Sequence, residues 1–154
     1  MTQSEDARPR SWRALRVLLL AAAGCTVGYW IAWYADRALV ASNSTHAYYD
    51  FENAFPLADG WLVCCLVVAA VQLSRARPSS LLWLLLSGGA GGYLFGMDVL
   101  YDIEHGIWTS GVGGAFEALL NVLTLVISVI VVSWAWRNRH LLSRVPPGRA
   151  RVPG

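Results

Sequence analysis

Four stretches of the chain are apolar almost without interruption: residues 14–35, 57–74, 80–101 and 113–136. As helices rising 1.5 Å per residue, runs of this length cross or nearly cross the roughly 30 Å of a bilayer's hydrocarbon. The polar stretches between them are short. Residues 36–56 are polar and aromatic, Arg75-Ala76-Arg77-Pro78 forms a tight basic turn, and a third connection follows Tyr101. The pattern predicts an all-α protein, a four-helix transmembrane bundle spanning residues 14–136, preceded by a segment at 1–13 and followed by a tail at 137–154. Ser44 is placed to cap a short helix beginning near Thr45, and Pro56 fits the first turn of the second span. The tail from Arg137 is rich in arginine and proline, and disorder is expected beyond Val145.

The first run invites comparison with a signal peptide, because Ala22-Ala23-Gly24-Cys25 has the look of a lipobox. The leucine three residues before the cysteine is missing, and apolar sequence continues to Ala35. A signal h-region ends sooner, so residues 14–35 read as a retained span.

Composition agrees: 56% of the 154 residues are hydrophobic and 14% charged, an excess and a deficit relative to soluble domains. All 12 basic residues are arginine, which points to a GC-rich genome. The three cysteines (Cys25, Cys64, Cys65) lie inside apolar runs without metal or redox spacing. Charge orients the bundle. Eleven of the 12 arginines lie on the side of the termini and of the 75–78 turn, and only Arg37 lies on the other. The positive-inside rule then places both termini in the cytoplasm and the spans in the plasma membrane. Trp12, Trp83, Trp134 and Trp136 fall near one interface, and Trp30, Trp33, Trp61 and Trp108 near the other, as an aromatic belt requires.

The acids are distributed in the opposite sense. Eight of ten (Asp36, Asp50, Glu52, Asp59, Asp98, Asp102, Glu104, Glu117) fall at the end that holds only Arg37. Asp59, Asp98 and Glu117 lie deepest, each roughly 10–12 Å from the middle of its span. An acid in contact with lipid is costly, so these three are expected to face the bundle interior. Asn121, Thr124 and Ser128 follow Glu117 down one face of the fourth span. Asp50, Glu52, Asp102 and Glu104 would line the mouth of the same site. Asp98, Asp102 and His105 share a helical face, and His46 stands four residues before Asp50. Carboxylates with these histidines nearby could coordinate a divalent cation. Alternatively, crowded carboxylates in low dielectric suit proton transfer, with Glu117 or Asp98 as the donor and Tyr29 or Trp33 lining the pocket. Plainer roles exist for each. Asp59 and Glu117 suit helix N-termini, Asn121 and Ser128 suit interhelical hydrogen bonding, and the loop acids suit hydration.

Two further patterns bear on organisation. Tyr49-Asp50-Phe51-Glu52 recurs as Tyr101-Asp102-Ile103-Glu104, each copy just beyond an apolar run and before the next. The halves 14–74 and 80–136 would then be parallel helix-hairpin repeats. Gly24 and Gly28 in the first span, and Gly88, Gly92 and Gly96 in the third, form small-residue faces that allow close helix approach. Spans one and three are expected to pack there, or the faces to meet a second copy or another membrane partner. No lysine-bearing P-loop and no G-x-G-x-x-G, G-x-S-x-G or H-E-x-x-H motif is present, and nucleic-acid binding is not expected.

The stretches Phe51-Glu52-Asn53-Ala54-Phe55-Pro56-Leu57-Ala58-Asp59 and Asp98-Val99-Leu100-Tyr101-Asp102-Ile103-Glu104-His105-Gly106 resemble those of small uncharacterised four-span integral membrane proteins of GC-rich, actinobacteria-like bacteria. The resemblance implies the fold and no particular activity. The function expected is binding or transport of a cation or cationic ligand at an acidic, aromatic site on the side opposite the termini. The alternatives are a membrane-embedded acid–base enzyme acting on a lipidic substrate and a non-catalytic partner subunit.

Overall fold

The computed structural model describes residues 10–143, and these are helical without a strand among them. Among the described residues four helices are long and apolar enough to cross a membrane. In chain order, α1 is Arg10–Ala35, α2 the short His46–Glu52, α3 Pro56–Ser74, α4 Ser80–His105, α5 Val112–Arg137 and α6 the single turn Arg139–Leu142. Arg8, Arg144, Arg149 and Arg151, and the tail expected to be disordered beyond Val145, lie outside the described residues.

Local chemistry sets the element ends. The first helix starts at Arg10 rather than at 14, since Arg13 and Arg16 are good helix formers whose long stems cover apolar surface. Thr45, one residue later than expected, caps α2: its hydroxyl oxygen accepts from the Tyr48 N–H at 3.4 Å. That offset of three residues is the reach of an N-cap side chain. Pro56 takes the first helical position of α3. Helix α4 runs beyond its apolar run to His105 and stops at Gly106, whose left-handed φ of 64° lets its N–H return to the Asp102 carbonyl.

The long helices pack in chain order: α1 on α3, α3 on α4, and α4 on α5, whereas α1 and α5 do not pack as a pair. This overturns the expected pairing of spans one and three. A Cβ built at Gly24, Gly28, Gly92 or Gly96 would meet nothing within 4 Å, so these glycines mediate no close approach within the chain. The close approach lies elsewhere on α4: a Cβ at Gly88 would strike Val132, and one at Gly91 would strike Ser128. Glycine there lets α4 and α5 draw together. The main core runs through Leu15 and Leu19 of α1, Leu62, Leu66 and Leu73 of α3, and Leu84 and Leu94 of α4.

The two ends of the bundle differ. At the arginine-rich end α1 and α5 touch through an edge-to-face pair, Trp12 on Trp134, with ring centroids 5.9 Å apart. Leu142 of α6 folds back into the core there, so the first residues of the predicted tail are packed helix. At the acidic end the 36–55 connection crosses the top of the bundle. Trp33, Tyr48 and Ile107 form a second small core beneath it. Ser42 lies against Gly113, and Ser110 Oγ donates to the Ser42 carbonyl at 3.3 Å.

Candidate functional site

A cavity of ≈ 330 Å³ runs down the inside of the bundle, with walls from α1, α3, α4 and α5 and Glu52 of α2 at its acidic end. Tyr29, Asp59, Asp98, Glu117 and Asn121 line it beside Glu52. Beyond them the walls are mainly apolar, formed by Leu18, Leu62, Leu66, Leu120, Ile127 and Val131, with Ser87, Thr124 and Ser128 among them. The three deep acids singled out by their depth thus converge on one space, joined by Glu52.

Each carboxylate but one is held by neutral donors. Glu52 accepts from the Tyr29 hydroxyl at 3.1 Å, and Asp59 from the Trp30 indole N–H at 2.8 Å. Glu117 accepts from Ser42 Oγ at 2.5 Å and from the Tyr48 hydroxyl at 3.2 Å. Glu117 stands beyond the first turn of α5 and binds residues of the distant connection, so it is not a helix cap. Asp59 does occupy the first turn of α3, but its carboxylate bonds across to α1. Asp102 sits behind the cavity wall, accepting from Asn121 Nδ2 at 2.7 Å and the Trp108 indole at 2.8 Å. Asp98 faces the cavity with no hydrogen bond or ion pair among the described residues.

Among the described residues no positive charge pairs with this group. Arg37, the one arginine at this end, lies over the Trp33 and Tyr49 rings, 5.5 and 5.7 Å from their centroids. Asp98 is within electrostatic range of Glu52, Glu117, Asp102 and Asp59. Carboxylates this close in a low-dielectric interior cannot all stay ionised without a cation or shared protons.

The doubled stretch divides between site and surface. In the first copy Glu52 is buried and Asp50 exposed; in the second Asp102 is buried and Glu104 exposed. Positions two apart on a helix point to nearly opposite sides, so only one acid of each pair can turn inward. The copies sit on different elements, the separate α2 and the end of α4, and they touch: Phe51 stacks on Tyr101 with centroids 3.8 Å apart. Asp50 and Glu104 are therefore not brought to the cavity. The expected metal shell of Asp98, Asp102, His105 and His46 is not assembled either. His46 pairs with Asp50 at 3.6 Å on the surface, and His105 stacks on Tyr101 and engages the Tyr101 carbonyl. Among the described residues no group of three His, Cys, Asp or Glu side chains is placed to hold a metal ion.

The polar face of α5 serves two purposes. Asn121 and Ser128 bridge to α4, at Asp102 and against Gly91, while Glu117, Asn121, Thr124 and Ser128 all line the cavity. Of the two aromatics expected at the pocket, Tyr29 lines it, whereas Trp33 is fully buried in the small core above. Sequence reasoning missed Ser42, Tyr48, Trp30 and Trp108 as donors. The available signal was an acidic end rich in neutral N–H and O–H groups and poor in cations, which leaves such groups as the partners.

No protein family, curated protein or solved structure matches the chain.

Proposed function

We propose that the protein is a multi-pass protein of the plasma membrane, both termini cytoplasmic, that binds or transports an organic cation in the carboxylate-lined cavity. The carrying observation is the convergence of Glu52, Asp59, Asp98 and Glu117 on one internal space that, among the described residues, no arginine lines. A cation entering there gains attraction from several acids at once, and neutral donors hold Glu52, Asp59 and Glu117 in place before it arrives. An organic cation is favoured over a metal ion because, among the described residues, no three His, Cys, Asp or Glu side chains are placed to hold a metal. The orientation rests on the arginine asymmetry.

The test is thermal denaturation of purified protein with organic cations and their neutral isosteres. A cation at a hundred times its Kd stabilises by about 2.7 kcal/mol, and the neutral isostere gives no comparable shift. Equal shifts from both, or none from either, would remove this reading.

A second reading is favoured by the apolar continuation of the cavity beyond the acids: acid–base catalysis on a lipidic substrate. Asp98, which has no hydrogen-bond partner, is then the proton-transfer group, with Glu117 beside it. Recovery of every bound lipid chemically unchanged after prolonged incubation counts against this alternative and leaves simple binding in place.

A further inference from the structure

The route into the cavity follows from which helices touch. Helices α1 and α5 flank the cavity without packing on each other. Their seam is closed at the arginine-rich end by Trp12 on Trp134. At the acidic end it is closed by the crossing connection, where Ser42 and Tyr48 hold Glu117. Between these clasps the edges are small or apolar. Ala21 and Cys25 on α1 and Leu123 on α5 line the cavity and are also exposed. In a bilayer that exposed edge faces acyl chains, whereas at the acidic end Tyr48 of α2 packs with Trp33 and Ile107 in the small second core.

The cavity is also long. From Tyr29 to Leu18 it follows α1 for roughly 16 Å, and from Glu117 to Val131 it follows α5 for roughly 21 Å. Along that length the carboxylates give way to a mainly apolar wall of leucine, isoleucine and valine, interrupted by Ser87, Thr124 and Ser128. A small hydrophilic cation would occupy the first part and leave the apolar remainder unfilled. A molecule with a cationic head and one long apolar chain matches both parts.

We propose that the α1–α5 seam is a lateral entrance from the bilayer, and that its ligand is a membrane-partitioned long-chain amine whose ammonium group meets Asp98. This deepens the organic-cation reading and rests on it. Asp98 is singled out because the other acids around the cavity already accept from Tyr29, Trp30, Ser42, Tyr48, Asn121 or Trp108.

The experiment is equilibrium binding of dodecylamine to the full chain in lipid nanodiscs, with empty discs subtracted. Dodecanol, ethylamine and tetramethylammonium serve as competitors. The proposal expects saturable binding of one dodecylamine per chain, displaced poorly by dodecanol and by both short cations. Asp98→Asn is expected to weaken binding at least ten-fold with an unchanged melting temperature, and Asp98→Glu to restore it. Cys25→Trp, which narrows the seam from its exposed edge, is expected to slow dodecylamine uptake at least ten-fold. Binding of the short cations without dodecylamine overturns the lateral amphiphile inference and leaves the organic-cation reading standing. Binding of neither class overturns both. Dodecylamine binding that ignores both Asp98→Asn and Cys25→Trp also overturns the inference, since neither head nor route is then as stated.

Discussion

Glu117 shows how one side chain can brace the fold and line the cavity at once. Its carboxylate ties the start of α5 to Ser42 and Tyr48, some seventy residues earlier, while lining the cavity. Glutamine at 117 keeps a carbonyl oxygen for both hydroxyls, whereas leucine leaves two buried donors unpaired. Each buried donor left unpaired costs roughly 1–3 kcal/mol. Glu117→Leu is therefore expected to lower the melting temperature in detergent well below that of Glu117→Gln, and equal melting temperatures would contradict the hydrogen-bond account. Asn121 invites a related test. Its amide is one of two donors to buried Asp102, so Asn121→Leu is expected to destabilise by about 1–3 kcal/mol. Asn121→Asp is expected to be worse than leucine, because it sets a second carboxylate against the first. Ranking the melting temperatures of the two variants checks this.

At the scale of elements, the glycines separate into two groups that the sequence pattern treats alike. Gly88 and Gly91 lie in the α4–α5 contact, while Gly24 and Gly28 face open space. Alanine is the better helix former by about 0.5–1 kcal/mol, a gain realised only where its methyl group fits. Gly24→Ala is accordingly expected to hold or raise the melting temperature, and Gly88→Ala to lower it by pressing on Val132 and the Ser128 carbonyl of α5. The opposite ordering, measured on purified protein, would mean that the helix contacts are misassigned. Spacing of four marks helices that are able to approach closely. Which glycines are used depends on helix rotation, and that is set by the other packed residues around each turn.

For the whole molecule, the unequal ends organise everything else. Arginines gather at one end and acids at the other, and the positive-inside rule converts that asymmetry into a topology. A cysteine introduced at Thr109, on the exposed acidic end, is expected to react with a membrane-impermeant maleimide on intact cells. One at Ser143, at the arginine-rich end, is expected to react only after lysis. The reverse labelling pattern would invert the orientation and put the acidic site in the cytoplasm. The seam between α1 and α5 also belongs to this scale, since no single helix contains it. It exists because three successive pairings leave the first and last long helices unpaired across the cavity.

The four long helices were legible from the sequence, because a helix that crosses a bilayer must be apolar along its length and needs about twenty residues to do so. The depth of Asp59, Asp98 and Glu117 was legible for the same reason: rise per residue converts position into height. Azimuth is not encoded so simply. Whether Glu52 or Asp50 turns inward, and whether Asp102 or Glu104 does, depends on how α2 and the end of α4 rotate against their neighbours. The pairing of Glu117 with Ser42 and Tyr48 depends on a connection that crosses the bundle, which no local pattern predicts. Sequence alone determined that acids would gather at one end of a four-helix bundle. Only the tertiary structure decided that four of them line one cavity and that Asp98 is left without a partner. Convergence is a property of helix rotation and long-range contact, and neither is written in the spacing of residues along the chain.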